Sequence, residues 1–201
     1  GRLKHLEIMP GFAMDLTTCN EDGIPWDFDV KERRDEARAR VLKEKPMLLV
    51  GTPMCKRFSS WQYLNDPRRD PEIVEKEKVK ARVHLAFMCE LYHEQLNAGR
   101  YFLHEHPGGA TSGQEDCIVE VMDRAGVEVS TADRCQYGQQ EDGLPIKKPT
   151  KFMSNSAEIL GRLARRCTGR DGWCSRRAGG RHKLASGATC SRSEVFTFQL
   201  C

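Results

Sequence analysis

The chain has 201 residues, of which 39% are hydrophobic and 30% charged, with a formal net charge of +3. That is enough apolar material for one ordinary domain with a real core, which excludes a disordered tail or a collagen-like repeat. No run approaches the roughly 20 apolar residues that cross a bilayer, and the opening Gly1-Arg2-Leu3-Lys4-His5 lacks the apolar stretch of a signal peptide, so a soluble, intracellular protein, nuclear or cytoplasmic, is expected.

The charge is unevenly spread. Residues 161–201 hold eight Arg and one Lys against Asp171 and Glu194, or +7, which leaves 1–160 with 23 bases and 27 acids, or −4. This predicts an acidic body over 1–160 and a basic Cys/Arg-rich tail over 161–201 suited to a polyanion. The nine cysteines are odd in number and irregularly spaced, so no disulfide framework is read. Cys89, within Leu85-Ala86-Phe87-Met88-Cys89, reads as a small hydrophobe.

In chain order, Gly11–Leu16 has strand character and ends near an acid, Asp15, and Asn20–Pro25 supplies turn chemistry. Val30–Lys45 is rich in Lys, Arg, Glu and Ala and predicts an exposed helix stopped before Pro46. Met47-Leu48-Leu49-Val50 reads as a strand buried on both faces of a parallel sheet. The loop Gly51–Ser60 would then lie at its carboxyl end, where open α/β sheets bind ligands.

Asp70–Asn97 is a long helical pattern, with Pro71 in its first turn, Val79, Val83, Phe87 and Leu91 four residues apart, and Gly99 at its end. A second buried strand, Tyr101-Phe102-Leu103, runs into His104-Glu105-His106-Pro107. A third unit follows, with a helix at Glu115–Arg124, a strand at Val127–Thr131, and then Asp133-Arg134-Cys135-Gln136-Tyr137-Gly138. Lys151–Ser154 and Ala157–Arg165 read as one more strand and a short helix. The alternation predicts an α/β fold with a largely parallel sheet.

Two positions carry the chemistry. Cys55 sits in Pro53-Met54-Cys55-Lys56-Arg57, where the two neighbouring cations and the sheet edge would favour a thiolate. Glu105 follows an apolar strand and reads as a carboxylic acid facing a pocket. His104 and His106 lack the spacing of a helical zinc motif. In the tail, Cys167, Cys174, His182 and Cys190 are separated by six, seven and seven residues. Roughly two to four is usual between paired zinc ligands, so no metal is assigned. Arg176-Arg177-Ala178-Gly179-Gly180-Arg181-His182-Lys183 is the better phosphate-contact candidate.

Pro53-Met54-Cys55 with Phe58-Ser59, then Glu105-His106-Pro107 at the end of the next strand, resembles the ordered motifs of cytosine-C5 DNA methyltransferases. The wider series is closer to methyltransferase-like segments of eukaryotic retroelement polyproteins. It comprises Asp15-Leu16, Trp26-Asp27-Phe28, Phe102–Pro107, Cys135-Gln136-Tyr137-Gly138 and Lys148-Pro149-Thr150-Lys151-Phe152, and covers about residues 10–165. The resemblance implies a Rossmann-like, mostly parallel sheet of the S-adenosylmethionine methyltransferase type that lacks its first strand. It implies Cys55 as a nucleophile attacking a flipped cytosine and Glu105 as its acid partner. Asp15, Trp26, Asp27 and Pro53 would bind S-adenosylmethionine.

Ser59, Lys148, Lys151, Arg176, Arg177 and Arg181 would contact DNA. Three departures from the family pattern stand out: no Phe-x-Gly-x-Gly loop precedes Asp15, Pro107 replaces the valine of Glu-Asn-Val, and Lys147–Lys151 only loosely matches Gln-x-Arg-x-Arg. The alternative expectation is a non-catalytic nucleic-acid-binding module using Arg165, Arg166, Arg170, Arg176, Arg177 and Arg181.

Overall fold

A computed structural model describes residues 11–176 and 179–185. The chain divides into two compact units, 1–47 and 48–201, so the described part of the basic segment sits in the same unit as the sheet.

In the first unit, Gly11–Met14 is irregular and Asp15–Leu16 enters a turn, rather than forming the expected strand. The reason is local. Asp15 Oδ1 accepts both the N–H and the hydroxyl of Thr17, each at 2.6 Å, and this side-chain turn replaces a strand ladder. The turn over Asn20–Gly23 is present, followed by helix α1 (Lys31–Glu44), which ends on Lys45 in the left-handed conformation just ahead of Pro46. Trp26, Ala37 and Val41 are buried, and the Arg40 guanidinium lies over the rings of Phe12 and Trp26.

The second unit is built on a four-stranded sheet in the order β1 (Leu48–Gly51), β2 (Tyr101–Pro107), β6 (Pro149–Ser154), β3 (Glu128–Asp133). β1 and β2 pair in parallel, whereas β6 runs antiparallel to both β2 and β3. Three strands therefore share one direction, as the alternating pattern predicts, but β6 is inserted between two of them and the sheet is mixed rather than mostly parallel. The sequence cue for the reversal is the hairpin β4 (Gln140–Glu141) to β5 (Leu144–Pro145) around Asp142-Gly143, which turns the chain straight back after β3.

Helix α3 (Pro71–Asn97) covers one face. It is capped by Asp70, whose side chain accepts the N–H of Glu72, and Gly99 follows it with a positive φ. Leu85, Phe87, Leu91 and Tyr92 form its buried side, while Val79 and Val83 are on its exposed side. Short helix α4 (Asp116–Met122) packs beside α3, and α5 (Ala157–Leu163) covers the opposite sheet face over Ala132, Tyr137 and Phe152. A four-residue helix, α2 (Gln62–Asn65), lies in the connection from β1 to α3.

β1 departs from expectation. It is an edge strand whose burial alternates, with Leu49 and Gly51 turned to the α3 face and Leu48 and Val50 left 40% and 56% exposed. A continuous apolar run does not separate a doubly buried strand from an edge strand with one open face. Among the described residues, no helix is long and apolar enough to cross a membrane.

Candidate functional site at the carboxyl edge of the sheet

The shared direction of β1, β2 and β3 brings three loops to one edge. β1 ends at Gly51, paired with His104, and the chain continues into the Pro53–Ser60 loop. Cys55 is half-buried there, and its carbonyl accepts the Phe58 N–H at 3.0 Å. The loop is tied to the segment following β2. Ser59 bridges to Ala110, the Thr111 hydroxyl donates to the Phe58 carbonyl at 3.3 Å, and the Phe58 ring meets His106 edge-on at 6.0 Å.

β2 itself runs through Pro107, so Glu105 lies within the strand rather than directly after it. Side chains alternate along a strand, and the two faces of β2 acquire opposite characters. On the α5 face, Glu105 is buried and accepts from Arg134 Nη2 at 2.7 Å. Arg134, also buried, lies just past β3 and its Nε donates to the Thr150 hydroxyl at 3.1 Å.

On the α3 face, the Tyr92 hydroxyl lies 3.0 Å from His104 Nδ1, and His104 Nε2 lies 3.3 Å from His106 Nδ1. Burial, with His106 beside it, pushes His104 down to about 3, and burial alone pushes His106 down to about 4, so both rings are neutral near pH 7. Burial drives Tyr92 upward for the same reason.

The cationic surroundings expected for Cys55 are altered by the fold. Arg57 is held by Asp66, at 2.9 and 2.6 Å, and by Glu77 at 3.3 Å, while Arg69 takes the other side of Glu77. Hydrogen bonding to Arg57 lowers Asp66, and hydrogen bonding to Arg69 lowers Glu77. The Arg57 charge is thus matched by two carboxylates.

Two clefts flank this loop. One, of about 630 Å³, is lined by Phe58, Ser59, Tyr63, Lys78, Arg82 and Thr111; the other, of about 560 Å³, by Met54, Lys56, Arg57, Arg68, Arg69 and Lys80. Neither is lined by Cys55 or Glu105.

The remaining expected site residues are scattered. Asp15, Trp26 and Asp27 lie in the first unit. Asp15 is an exposed turn acid whose carboxyl is lowered by its bonds to Thr17, and Asp27 accepts the Asp29 N–H at 3.0 Å. Trp26 is only 2% exposed and its indole N–H has no hydrogen-bond partner. Pro53 is half-buried, Lys148 is buried, and Lys151 is exposed.

Arg181 is exposed and Arg176 half-buried, while Arg177 and Cys190 lie outside the described residues. Arg165 stacks over the Tyr137 ring at 5.1 Å, and Arg166 Nε donates to buried Asp133 at 3.0 Å, so both take part in the fold.

Sequence reasoning missed two features. Arg134 carries no motif, and only the return of β6 beside β3 brings it onto Glu105. Cys135, Cys167, Cys174 and His182 converge, with one ligand atom from each lying within 4.8 Å of all the others. Spacing along the chain grouped Cys167, Cys174 and His182 with Cys190 and missed Cys135, which comes from the turn just past β3. The seven described cysteines are all free thiols.

No known protein family matches the chain, and no curated protein or solved structure is similar to it.

Proposed function

We propose that the protein is a cytosine-C5 methyltransferase-like protein of the retroelement-borne kind, with a nucleotide-base site at the carboxyl edge of a Rossmann-like sheet. The observation that carries this reading is the parallel pairing of β1 with β2, which sets the Cys55 loop beside the strand end that bears Glu105. In this reading the Cys55 thiolate adds to carbon 6 of a cytosine and moves electron density onto carbon 5. Glu105, oriented by Arg134, meets ring nitrogen 3 and stabilises the charge that develops there. The base would have to leave its duplex to reach the edge.

S-adenosylmethionine is the methyl donor the resemblance implies. Three of the four residues offered for it do not fit: Asp15 is engaged in an exposed turn, Asp27 in a turn of its own, and Trp26 has no open ring face. No methyl-transfer step is derived.

The test uses the part of the chemistry that needs no donor. Thiolate addition lets carbon 5 take a solvent proton, and elimination then removes a hydrogen from it, so DNA tritiated at carbon 5 of cytosine should release label. Cys55→Ser should abolish the release and Glu105→Gln should slow it. Titration calorimetry with S-adenosylmethionine measures the donor separately.

A second reading, a non-catalytic nucleic-acid-binding module, is favoured by the exposed Lys147, Lys151, Arg170 and Arg181. It predicts steeply salt-dependent binding of DNA or RNA with no release of label.

A further inference from the structure

We propose that Cys135, Cys167, Cys174 and His182 hold one structural zinc ion. The inference is independent of the methyltransferase reading, and it begins with distances. Zinc bonds of about 2.3 Å to sulfur and 2.0 Å to nitrogen, disposed tetrahedrally, separate two sulfurs by about 3.8 Å and a sulfur from a nitrogen by about 3.5 Å. Cys167 Sγ lies 4.0 Å from Cys174 Sγ and 3.5 Å from His182 Nε2. Cys135 completes the group within the same 4.8 Å limit.

Three thiolates and one imidazole are a soft donor set that selects zinc over calcium or magnesium. Four protein ligands fill a tetrahedron and leave no position for substrate, so the ion would be structural rather than catalytic. Each thiol gives up its proton to solvent on binding, so the metal-bound site carries a net charge of −1.

The surroundings are arranged around the sulfurs. The Ser175 N–H and hydroxyl donate to Cys167 Sγ at 3.4 and 3.5 Å. The Gln136 amide donates to Cys135 Sγ at 3.5 Å and to Cys174 Sγ at 3.6 Å. Donors of this kind orient ligands and temper thiolate charge.

The backbone supplies the rest. The Cys174 N–H donates to the Gly180 carbonyl and the His182 N–H to the Gly172 carbonyl, closing a tight loop. Gly179 passes so near Cys174 that a Cβ there would lie 2.7 Å from the Cys174 Cβ. At its base, the Cys167 N–H donates to the Asp133 carboxylate at 2.8 Å.

The described part of residues 167–183 forms isolated bridges but no strand or helix, and Cys167 is its one buried hydrophobic residue. Such a segment has too little core to order itself, and a metal supplies what the core does not. Since Cys135 directly follows Arg134, the ion would also fix the turn that presents Arg134 to Glu105.

The experiment takes the full 201-residue chain, expressed with zinc and purified without chelators, and measures metal by mass spectrometry. One zinc per chain is expected, lost in Cys174→Ser and in His182→Ala but retained in Cys55→Ser and Cys89→Ser. Should a ligand variant fail to fold, cobalt substitution of the unaltered chain decides. Tetrahedral d–d bands with thiolate-to-cobalt charge transfer support the site. A spectrum without thiolate charge transfer overturns it, as does a folded chain that binds no zinc, and loss of the zinc in Cys190→Ser overturns the ligand assignment.

Discussion

The two faces of β2 solve the same problem in opposite ways. Both bury polar side chains at the carboxyl end of a strand. On the α5 face the solution is charge against charge, with Glu105 accepting from Arg134 and Arg134 braced by Thr150. On the α3 face the solution is neutrality, with Tyr92, His104 and His106 in a chain of short contacts and the two rings held uncharged by burial. The charged face depends on a partner brought from far along the chain. The neutral face is tolerant of missing partners, and His106 Nε2 has none.

The difference can be probed from either side. The largest effect should come from Arg134→Met, which leaves Glu105 buried without its cation. A cost of about 3–5 kcal/mol in urea unfolding is expected, and replacing Glu105 by Gln as well should recover much of it. A cost under 1 kcal/mol would mean that Glu105 finds solvent easily and that the charged face is looser than described.

On the other face the sensitive point is Gly51, where a Cβ would overlap the Tyr92 hydroxyl. Gly51→Ala should cost about 1–3 kcal/mol, and less in a Tyr92→Phe background, so a double-mutant cycle reads the contact directly.

The neutral face should also be the acid-labile one. In the unfolded chain both histidines titrate near 6.5, above their folded values of about 3 and 4, so the unfolded state binds protons first as pH falls. Stability should therefore decline from about pH 6.5 downward, by about 2 kcal/mol per ring at pH 5. His106→Gln should flatten that slope, and an unchanged slope would place the acid sensitivity elsewhere. The smallest effect is expected for Thr150→Val, about 1 kcal/mol, because it removes one of the bonds that brace Arg134.

The two faces also show what could be read along the chain. Elements with local signals were legible: the α1 composition, the Asp70 and Gly99 ends of α3, and the apolar cores of β2 and β6. The Cys55 loop was legible as an edge because it follows an apolar strand, and Glu105 because it lies just past the apolar run Tyr101-Phe102-Leu103. Arg134 was not, since nothing near it in sequence distinguishes it from any other arginine, and its role arises only from the register of β6 against β3.

The Asp15 segment misled for the converse reason. Its apolar residues suggested a strand, but the Asp15 to Thr17 bonds favour a turn at lower cost in chain ordering. The Cys135, Cys167, Cys174 and His182 group was only partly visible to spacing rules because the turn past β3 supplies one of its members.

Asp133, the last residue of β3, has no solvent exposure, and the partners of its carboxylate Oδ2, Arg166 and the Cys167 N–H, lie more than thirty residues downstream. Its own N–H donates to the Arg165 carbonyl. Burying that carboxylate without those partners would be costly, so the end of β3 and the segment that returns to it should form together. In hydrogen exchange, the amides of Asp133 and Cys167 should open together, as one cooperative unit with the sheet edge.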